Sequence, residues 1–258
     1  MAKALKRFLV SSSLSDWNRK RKQEVQTVLL TREETHHLKN VLRFKEGSIC
    51  LLFDRNGNEL ISRLKRFLPD GRAEAEPIES VSIQKKDDGF QLTVAQAIPQ
   101  DRKMDEMVRK STELGIFELI PLLTERTVVR IGQDQTKKVR ERWERIAEQT
   151  LKQSRLSKTP RIAPLTSFDT LCSDLSRFTQ TFLLHPSSEA KPIRECNLTH
   201  GDQNLRALLM IGPEGGFSPR EVEKAQAKGV QVVKMGSGVL KTDTAFVAAA
   251  SFFQFMRS

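Results

Sequence analysis

The chain has 258 residues, 38% of them hydrophobic, and its 43 Lys and Arg residues against 32 Asp and Glu residues give a net charge of +11. This length predicts one large or two ordinary domains with buried cores, and no stretch approaches the ~18 apolar residues of a membrane span. The charge, the lack of an apolar signal-peptide core and three scattered cysteines without a Cys-x-x-Cys pair favour a cytoplasmic protein with a nucleic-acid partner, and argue against a disulfide framework or a metal site.

Short strands separated by turns make up the first part of the chain. A helix is expected over residues 31–41, where Thr31 and Glu34 have the spacing of a capping box. Asn56-Gly57 predicts a tight hairpin turn. The strands are expected at residues 8–10, 25–30, 48–53, 59–67 and 73–83. This pattern predicts a small β-barrel.

A polar, turn-rich stretch at residues 85–89 marks a boundary and predicts two domains, residues 1–84 and residues 85–258. Beyond it, strands alternate with helices, which is typical of an α/β domain with a mostly parallel sheet. The strands are expected at 91–98, 117–122, 181–184, 208–211 and 230–233, and the helices at 101–114, 136–153, 219–228 and 244–256.

The last expected helix is apolar nearly all round, from Ala245 to Phe253. A helix of this kind must be buried on several faces. The sequence leaves two explanations open, which are burial in the core of its own subunit and partial burial against a second subunit.

A glycine-rich turn between an apolar strand and a capped helix is the most informative segment. Gly212-Pro213-Glu214-Gly215-Gly216 precedes Ser218, which has the position of an N-cap, and Glu221, which completes a capping box. The spacing matches neither a P-loop nor a dinucleotide fingerprint, and Glu214 would repel a phosphate. The turn therefore suits a neutral or cationic ligand, or it is a tight connection without a ligand.

Two more loops are expected at the same edge of the sheet. Leu184-His185-Pro186 ends one strand, and residues 235–245 link the last strand to the last helix. Three loops that converge at the carboxyl ends of parallel strands would form a pocket. His185 alone is weak evidence, because a single histidine before a proline is more often structural.

The segment 212–218, together with Val239-Leu240-Lys241-Thr242-Asp243-Thr244-Ala245, resembles the RsmE-type 16S rRNA uridine-N3 methyltransferases of the SPOUT superfamily. The resemblance runs the length of the chain. Further matching blocks are Arg7-Phe8, residues 37–43, residues 110–115, Glu125-Arg126 and residues 149–155.

The resemblance implies a C-terminal α/β trefoil-knot domain, a rare exception to unknotted topology, and an N-terminal PUA-like β-barrel. It also implies an obligate homodimer through the C-terminal domain, S-adenosylmethionine as cofactor, and 16S rRNA of the small ribosomal subunit as partner. The implied target is N3 of the decoding-region uridine conventionally numbered 1498. The implied cofactor residues are Leu184, His185, Gly212, Pro213, Glu214, Gly215, Gly216, Met235, Gly236, Val239, Leu240, Thr242 and Ala245.

Uracil N3 carries a proton, so methylation requires a cation or a hydrogen-bond donor that stabilises the uracil anion. We expect Lys241, Asp243 and Arg155 to be the catalytic residues, with Lys241 in this stabilising role. The residues expected to contact RNA are Arg7, Arg43, Lys103, Lys110, Arg126 and Arg155. Each basic cluster on its own is more often a solvated surface, and a net positive charge can also serve solubility alone.

The last loop departs from the family pattern, which has two arginines and a glutamate where this chain has Gly238, Lys241 and Asp243. Lysine cannot reproduce the planar fork of arginine. The alternative is therefore a catalytically weak or retargeted RNA-binding relative that acts in ribosome assembly. A third class, an α/β protein that binds a ligand other than RNA, is disfavoured by the charge and by the N-terminal strands.

Overall fold

The computed structural model describes residues 5–14, 27–54, 57–81, 89–154, 156, 158–196, 198 and 205–256. The chain divides into two compact units. The first contains residues 1–85 and 151–158, and the second contains residues 86–150 and 159–258. Segment 151–158 thus belongs to the first unit although it follows much of the second in the sequence. The domain limits 1–84 and 85–258 remain a prediction, since the units describe contacts and not independent folding.

A five-stranded sheet forms the first unit. Its strands are β1 (Arg7–Leu9), β2 (Val28–Leu30), β3 (Ile49–Phe53), β4 (Glu59–Phe67) and β5 (Ala73–Val81). Their order is β1-β3-β4-β5-β2, and only the β1–β3 pairing is parallel. Apolar side chains that alternate along these strands, including Phe8, Leu52 and Leu64, form a buried core. The strands agree with the prediction to within one residue at each described end. Residues 25–26 and 82–83 of the predicted strands and residues 55–56 of the predicted turn lie outside the described part.

The predicted helix of the first unit begins as expected. The Thr31 hydroxyl accepts a hydrogen bond of 3.2 Å from the backbone N–H of Glu34, so Thr31 is the N-cap of helix α1 (Arg32–His36). The chain then continues as a wider π-helical turn over His37–Val41. The carboxylate of Glu34 forms an ion pair with Lys152.

An eight-stranded sheet forms the second unit. Its strands are β6 (Phe90–Ala97), β7 (Glu118–Leu123), β8 (Arg161–Ile162), β9 (Thr166–Ser167), β10 (Gln180–Leu184), β11 (Lys191–Pro192), β12 (Leu205–Ile211) and β13 (Gln231–Lys234). Their order is β11-β13-β10-β12-β6-β7-β8, with β9 paired to β7, and every one of these pairings is parallel. The predicted parallel α/β sheet is confirmed.

Helices cover both faces of this parallel sheet. They are α2 (Lys103–Glu113), α3 (Gln133–Gln153), α4 (Phe168–Ser173), α5 (Pro219–Ala227) and α6 (Thr242–Phe255). Successive strand residues such as Phe182 and Leu183 belong to different core clusters, one shared with α2, α3 and α6 and the other with α4 and α5. Burial on both faces explains the continuous apolar run over residues 207–211 of β12.

The apolar helix α6 is partly buried in its own unit. Phe246, Ala249 and Phe253 have no exposed surface, and the Phe253 ring packs 4.6 Å from that of Phe182, measured between centroids. Val247 and Phe255, in contrast, are 37% and 57% exposed. Burial in the core of its own subunit therefore accounts for one face of the helix but not for the other.

Candidate functional site

Three loops at the carboxyl edge of the parallel sheet line one cavity of about 590 Å³. The strands β10, β12 and β13 end level with one another, because Leu184 lies beside both Ile211 and Val233 in the sheet register. The loops that follow these strands therefore begin side by side. The predicted convergence of three loops on one pocket is confirmed.

Nearly all residues predicted for the cofactor site line this cavity. They are Leu184, His185, Gly212, Pro213, Glu214, Gly215, Gly216, Met235, Val239, Leu240, Thr242 and Ala245. Lys241 and Asp243, predicted as catalytic, and Lys103, predicted to contact RNA, line it too. Gly236 instead lines a second cavity beside the first. Sequence reasoning missed Ile211 and Lys234, the last residues of β12 and β13, although both directly precede predicted loops.

Loop 212–218 closes tightly on itself. The backbone N–H of Gly216, which has φ +68°, donates a 2.8 Å hydrogen bond to the carbonyl of Pro213. A Cβ atom on Gly212 would lie 3.1 Å from both Cα and C of Gly216. A side chain on Gly212 would therefore require the backbone at Gly216 to shift by a few tenths of an ångström. Gly216 itself favours glycine because of its left-handed backbone.

The helix that follows this loop is held by the predicted capping box, which is confirmed. The Ser218 hydroxyl accepts from the backbone N–H of Glu221 at 3.1 Å, and the Glu221 carboxylate accepts from the backbone N–H of Ser218 at 2.9 Å. The Glu221 carboxylate also accepts a hydrogen bond of 2.9 Å from the backbone N–H of Glu125. Both side chains are buried, so the box also fixes the segment after β7.

The carboxylate of Glu214 is paired at the cavity wall. It accepts hydrogen bonds from Lys103 Nζ at 3.0 Å and from the backbone N–H of Gln100 at 3.3 Å. Burial acts to raise the pKa of Glu214, but these hydrogen bonds outweigh it and the pKa lies below its ordinary value. The hydrogen bond and charge of Glu214 in turn raise the pKa of Lys103.

Helix α2 begins at Lys103 and not at residue 101, as the sequence predicted. Asp101 and Arg102 both have φ +56°, a left-handed conformation that interrupts the right-handed helix. The two strained residues directly precede the lysine that pairs with Glu214. The strand-to-helix turn after β6 therefore places Lys103 at the cavity.

Two buried polar atoms beside the cavity lack partners among the described residues. They are Nδ1 of His185 and Oε1 of Gln96, whose amide nitrogen donates to the carbonyls of Ala97 at 2.7 Å and Gly212 at 3.4 Å. Burial, with a smaller contribution from the charge of Arg126, lowers the pKa of His185. Buried polar groups normally have a partner, so these atoms indicate a site for a polar ligand or water.

Loop 235–241 is the exposed side of the cavity. Residues 236–241 are all exposed, and Val239 is 83% exposed. Lys241 is the N-cap of helix α6, and its side chain makes no capping hydrogen bond. Asp243 Oδ1 accepts from the backbone N–H of Thr244 at 2.8 Å. Two of the three predicted catalytic residues, Lys241 and Asp243, line the cavity, while Arg155 lies outside the described residues. The roles of all three remain predictions.

The other residues predicted to contact RNA are scattered. Arg126 lies at the cavity, where its guanidinium donates to the carbonyl of Gly215 at 2.7 Å, and Lys110 pairs with Glu113 at 2.9 Å. Arg43 is exposed in the first unit, and Arg155 lies outside the described residues.

The side chain of Arg7, also predicted to contact RNA, is held by several hydrogen bonds within the protein. Its guanidinium donates to Glu59 at 2.5 Å and to the carbonyls of Ser154 at 2.6 Å and Leu156 at 2.9 Å, and its side chain is 13% exposed. These hydrogen bonds join separate segments of the first unit. The contact of Arg7 with RNA stays a prediction.

Within the described ranges, no helix is long and apolar enough to cross a membrane. The same part of the chain contains no group of three or more His, Cys, Asp or Glu side chains arranged to hold a metal ion.

Comparisons with known proteins match this architecture. A family model described as an RNA methyltransferase domain matches residues 86–254, and one described as an RNA methyltransferase PUA domain matches residues 30–65. The chain is 28% identical to ribosomal RNA small subunit methyltransferase E of Bacillus subtilis over 89% of this chain and 90% of that protein. It is 31% identical to the protein of the same name from Synechocystis sp. over 85% of this chain and 70% of that protein.

Among solved structures, the chain is similar to a ribosomal RNA small subunit methyltransferase E from Neisseria gonorrhoeae bound to S-adenosyl methionine. The TM-score is 0.80 at 29% identity, with 97% of each chain covered.

Proposed function

Since the chain belongs to the RNA methyltransferase family represented by ribosomal RNA small subunit methyltransferase E, we propose that it methylates N3 of a decoding-region uridine in 16S rRNA, with S-adenosylmethionine as methyl donor. The observation that carries the proposal is the cavity at the carboxyl ends of β10, β12 and β13. It combines a closed glycine turn with two carboxylates and three lysines.

The residues present fit this cofactor. A cavity of about 590 Å³ lies within the roughly 300–1,000 Å³ of small-molecule sites. Apolar side chains at Leu184, Met235 and Leu240 suit an adenine ring, and the carboxylates of Glu214 and Asp243 suit a ligand with positive charge. The unpaired Nδ1 of His185 offers a hydrogen bond. When bound, the cofactor supplies a methyl group on a sulfonium centre.

The remaining chemistry falls to residues of the chain. Holding the uracil in line with the methyl group can contribute about 7–11 kcal/mol through positioning alone. Lys241, which lines the cavity and makes no capping hydrogen bond, stabilises the charge on O2 or O4 as N3 loses its proton. Asp243, two residues after Lys241, orients it or accepts that proton. Arg126, which donates to the carbonyl of Gly215 in the cavity wall, is a further cation beside the cavity.

Three further features belong to the proposal. The first unit is a PUA-like barrel that binds RNA, with Arg43 exposed for contact. The chain around the cavity forms a trefoil knot, in a domain that spans residues 85–258. The exposed face of α6, with Val247 and Phe255, contacts a second copy in a homodimer. The protein then acts in the cytoplasm on small-subunit rRNA or on assembling subunits.

The second candidate function is a catalytically weak RNA-binding relative that acts in ribosome assembly. It is favoured by Gly238, which lines the cavity without a side chain where the family has an arginine. A Cβ at this position would meet no atom within 4 Å, so the space for a larger residue exists but is not used.

The test is transfer of tritium from labelled S-adenosylmethionine to small-subunit particles from cells that lack this gene, followed by nucleoside analysis. Labelled 3-methyluridine is the expected product. RNA binding without any label would favour the second candidate, and Gly238→Arg would then be the first variant to test for recovered transfer. Failure to bind the cofactor would contradict the first proposal outright.

A further inference from the structure

A second cavity, of about 620 Å³, adjoins the first and has a different chemistry. Pro186, Lys234 and Val239 line both cavities and form the wall between them. The other described lining residues of the second cavity include Arg194 and three serines. None of its described lining residues carries a carboxylate.

The two cavities differ in charge, so they suit different ligands. The first cavity has two carboxylates, of Glu214 and Asp243, beside three lysines, one of which is the shared Lys234. This mixed set suits a ligand with both charges. The second has only the cations Lys234 and Arg194 together with hydroxyl groups. A cationic cavity lined by hydroxyl donors favours an anion with several acceptor oxygens.

Lys234 is held in place as a donor at this wall. Its ammonium donates to the carbonyls of Ser187 at 3.2 Å and Ser188 at 3.1 Å. An ammonium carries three N–H donors, so one donor remains for a ligand. Arg194 is exposed, and its guanidinium makes no hydrogen bond or ion pair within the part of the chain that the structure describes. Both cations therefore have donor capacity left.

We propose that the second cavity binds the phosphodiester backbone next to the target uridine, with Arg194 and Lys234 as the phosphate contacts. This inference rests on the proposed function, because an RNA substrate is what brings a phosphate to the wall of the methyl-donor pocket. A base that enters the first cavity must leave its stack, and its flanking phosphate then lies within a nucleotide's length of the base. The first cavity then holds the cofactor and the base, and the second is free for the phosphodiester backbone.

The first test compares Arg194→Gln with Arg206→Gln. Both changes remove one exposed arginine from the second unit, but Arg206 is the second residue of β12, at the opposite end of that strand from the cavities. The probe is an unmethylated fragment of 16S rRNA that carries the target uridine, bound in the presence of S-adenosylhomocysteine. Affinity is measured over a range of salt concentrations.

We expect Arg194→Gln to weaken RNA binding about 3–10-fold and to reduce the slope of log affinity against log salt by about 1, as loss of one phosphate contact does. Arg206→Gln keeps the wild-type slope, and Arg194→Lys recovers it in large part. Cofactor affinity stays the same in all three variants. An unchanged slope in Arg194→Gln overturns the proposal.

The second test places a neutral methylphosphonate at each phosphate that flanks the target uridine. In the wild type, one of these replacements weakens binding, and in Arg194→Gln the same replacement has no further effect, as expected for partners in one contact. Independent effects, or loss of the dimer on sedimentation of Arg194→Gln, would assign the cavity to another contact and overturn the proposal. If the wild type binds RNA but transfers no methyl group, the proposed enzymatic activity fails instead, and these binding measurements still decide the role of the cavity.

Discussion

The two glycine-rich loops that bound the first cavity are built in opposite ways. In loop 212–218, four residues are buried, and hydrogen bonds from Arg126, Lys103 and the capping box hold the turn from outside. In loop 235–241, residues 236–241 are exposed, and the helix that follows has no side-chain cap. We therefore expect the first loop to be formed before a ligand binds, and the second to depend more on the ligand for its order. A pre-formed loop favours ligand affinity, and a flexible loop allows a substrate to enter.

The largest effect is expected from the variant that tests the difference between the two loops most directly. The same glycine-to-alanine change is made in both loops. Gly212→Ala places a Cβ 3.1 Å from the backbone of Gly216, so the turn must open slightly to admit it. We expect cofactor affinity to fall on the order of 100-fold and the protein to lose about 1–3 kcal/mol of stability. Calorimetric titration and thermal unfolding measure the two effects.

The matched control is Gly238→Ala, because a Cβ there meets no atom within 4 Å and the backbone is not left-handed. Cofactor affinity should stay within about threefold of the wild type. Equal losses in the two variants would show that loop 212–218 is no more rigid than its neighbour.

The second effect, which concerns the reaction rate alone, is expected from Lys241 in the exposed loop. Lys241→Ala should reduce the rate of methyl transfer about 100-fold, as loss of one charge-stabilising donor does, and should leave cofactor affinity within about threefold. Single-turnover transfer from labelled cofactor measures the rate. Lys228→Ala, an exposed lysine at the end of α5, is the control. Wild-type transfer by Lys241→Ala would remove the role proposed for this loop.

Local sequence patterns predicted much of this fold, because its main elements obey short-range rules. The apolar runs and the capping residues Thr31 and Ser218 set the larger strands and helices. The two-residue strands β8, β9 and β11 were not predicted, since they are too short to show a period and form only by pairing with a neighbour. The start of α2 was wrong because the strained pair Asp101 and Arg102 leaves no mark in composition.

The candidate site, too, was predictable from the sequence only in part. Its loops follow from the rule that ligands bind at the carboxyl ends of parallel strands. The contacts that shape it do not, because Arg126 and Gly215 are 89 residues apart and Gln96 and Gly212 are 116 apart. No short-range rule relates such positions, and the cavity beside Lys234 is likewise a product of tertiary packing.

A third prediction sharpens the comparison by breaking the capping box, which holds loop 212–218 from outside the cavity. Ser218→Ala deletes an N-cap and should cost about 1 kcal/mol of stability. Since Ser218 also ends the glycine turn, cofactor affinity should fall about 3–5-fold as the loop loosens. Chemical denaturation and calorimetric titration measure the two quantities.

Thr31→Ala is the control for this variant, because Thr31 caps helix α1 in the first unit. A similar loss of stability with unchanged cofactor affinity is expected. If both variants lower cofactor affinity equally, the effect comes from general destabilisation and not from the loop.

The smallest effect concerns the third loop and depends on pH. Burial and the charge of Arg126 lower the pKa of His185, so the unfolded chain takes up a proton near its ordinary pKa of about 6.5 while the folded protein resists it. Below that pH the unfolded state binds more protons, and stability falls as the pH falls, until the pH passes the lowered pKa of the folded state. His185→Asn should therefore lose less stability than the wild type between pH 7 and pH 5 when urea unfolding is followed at each pH. Parallel pH profiles for the two proteins would mean that His185 is as free to take up a proton as it is in the unfolded chain. The unpaired Nδ1 would then face solvent, and the pre-formed part of the cavity would be limited to loop 212–218.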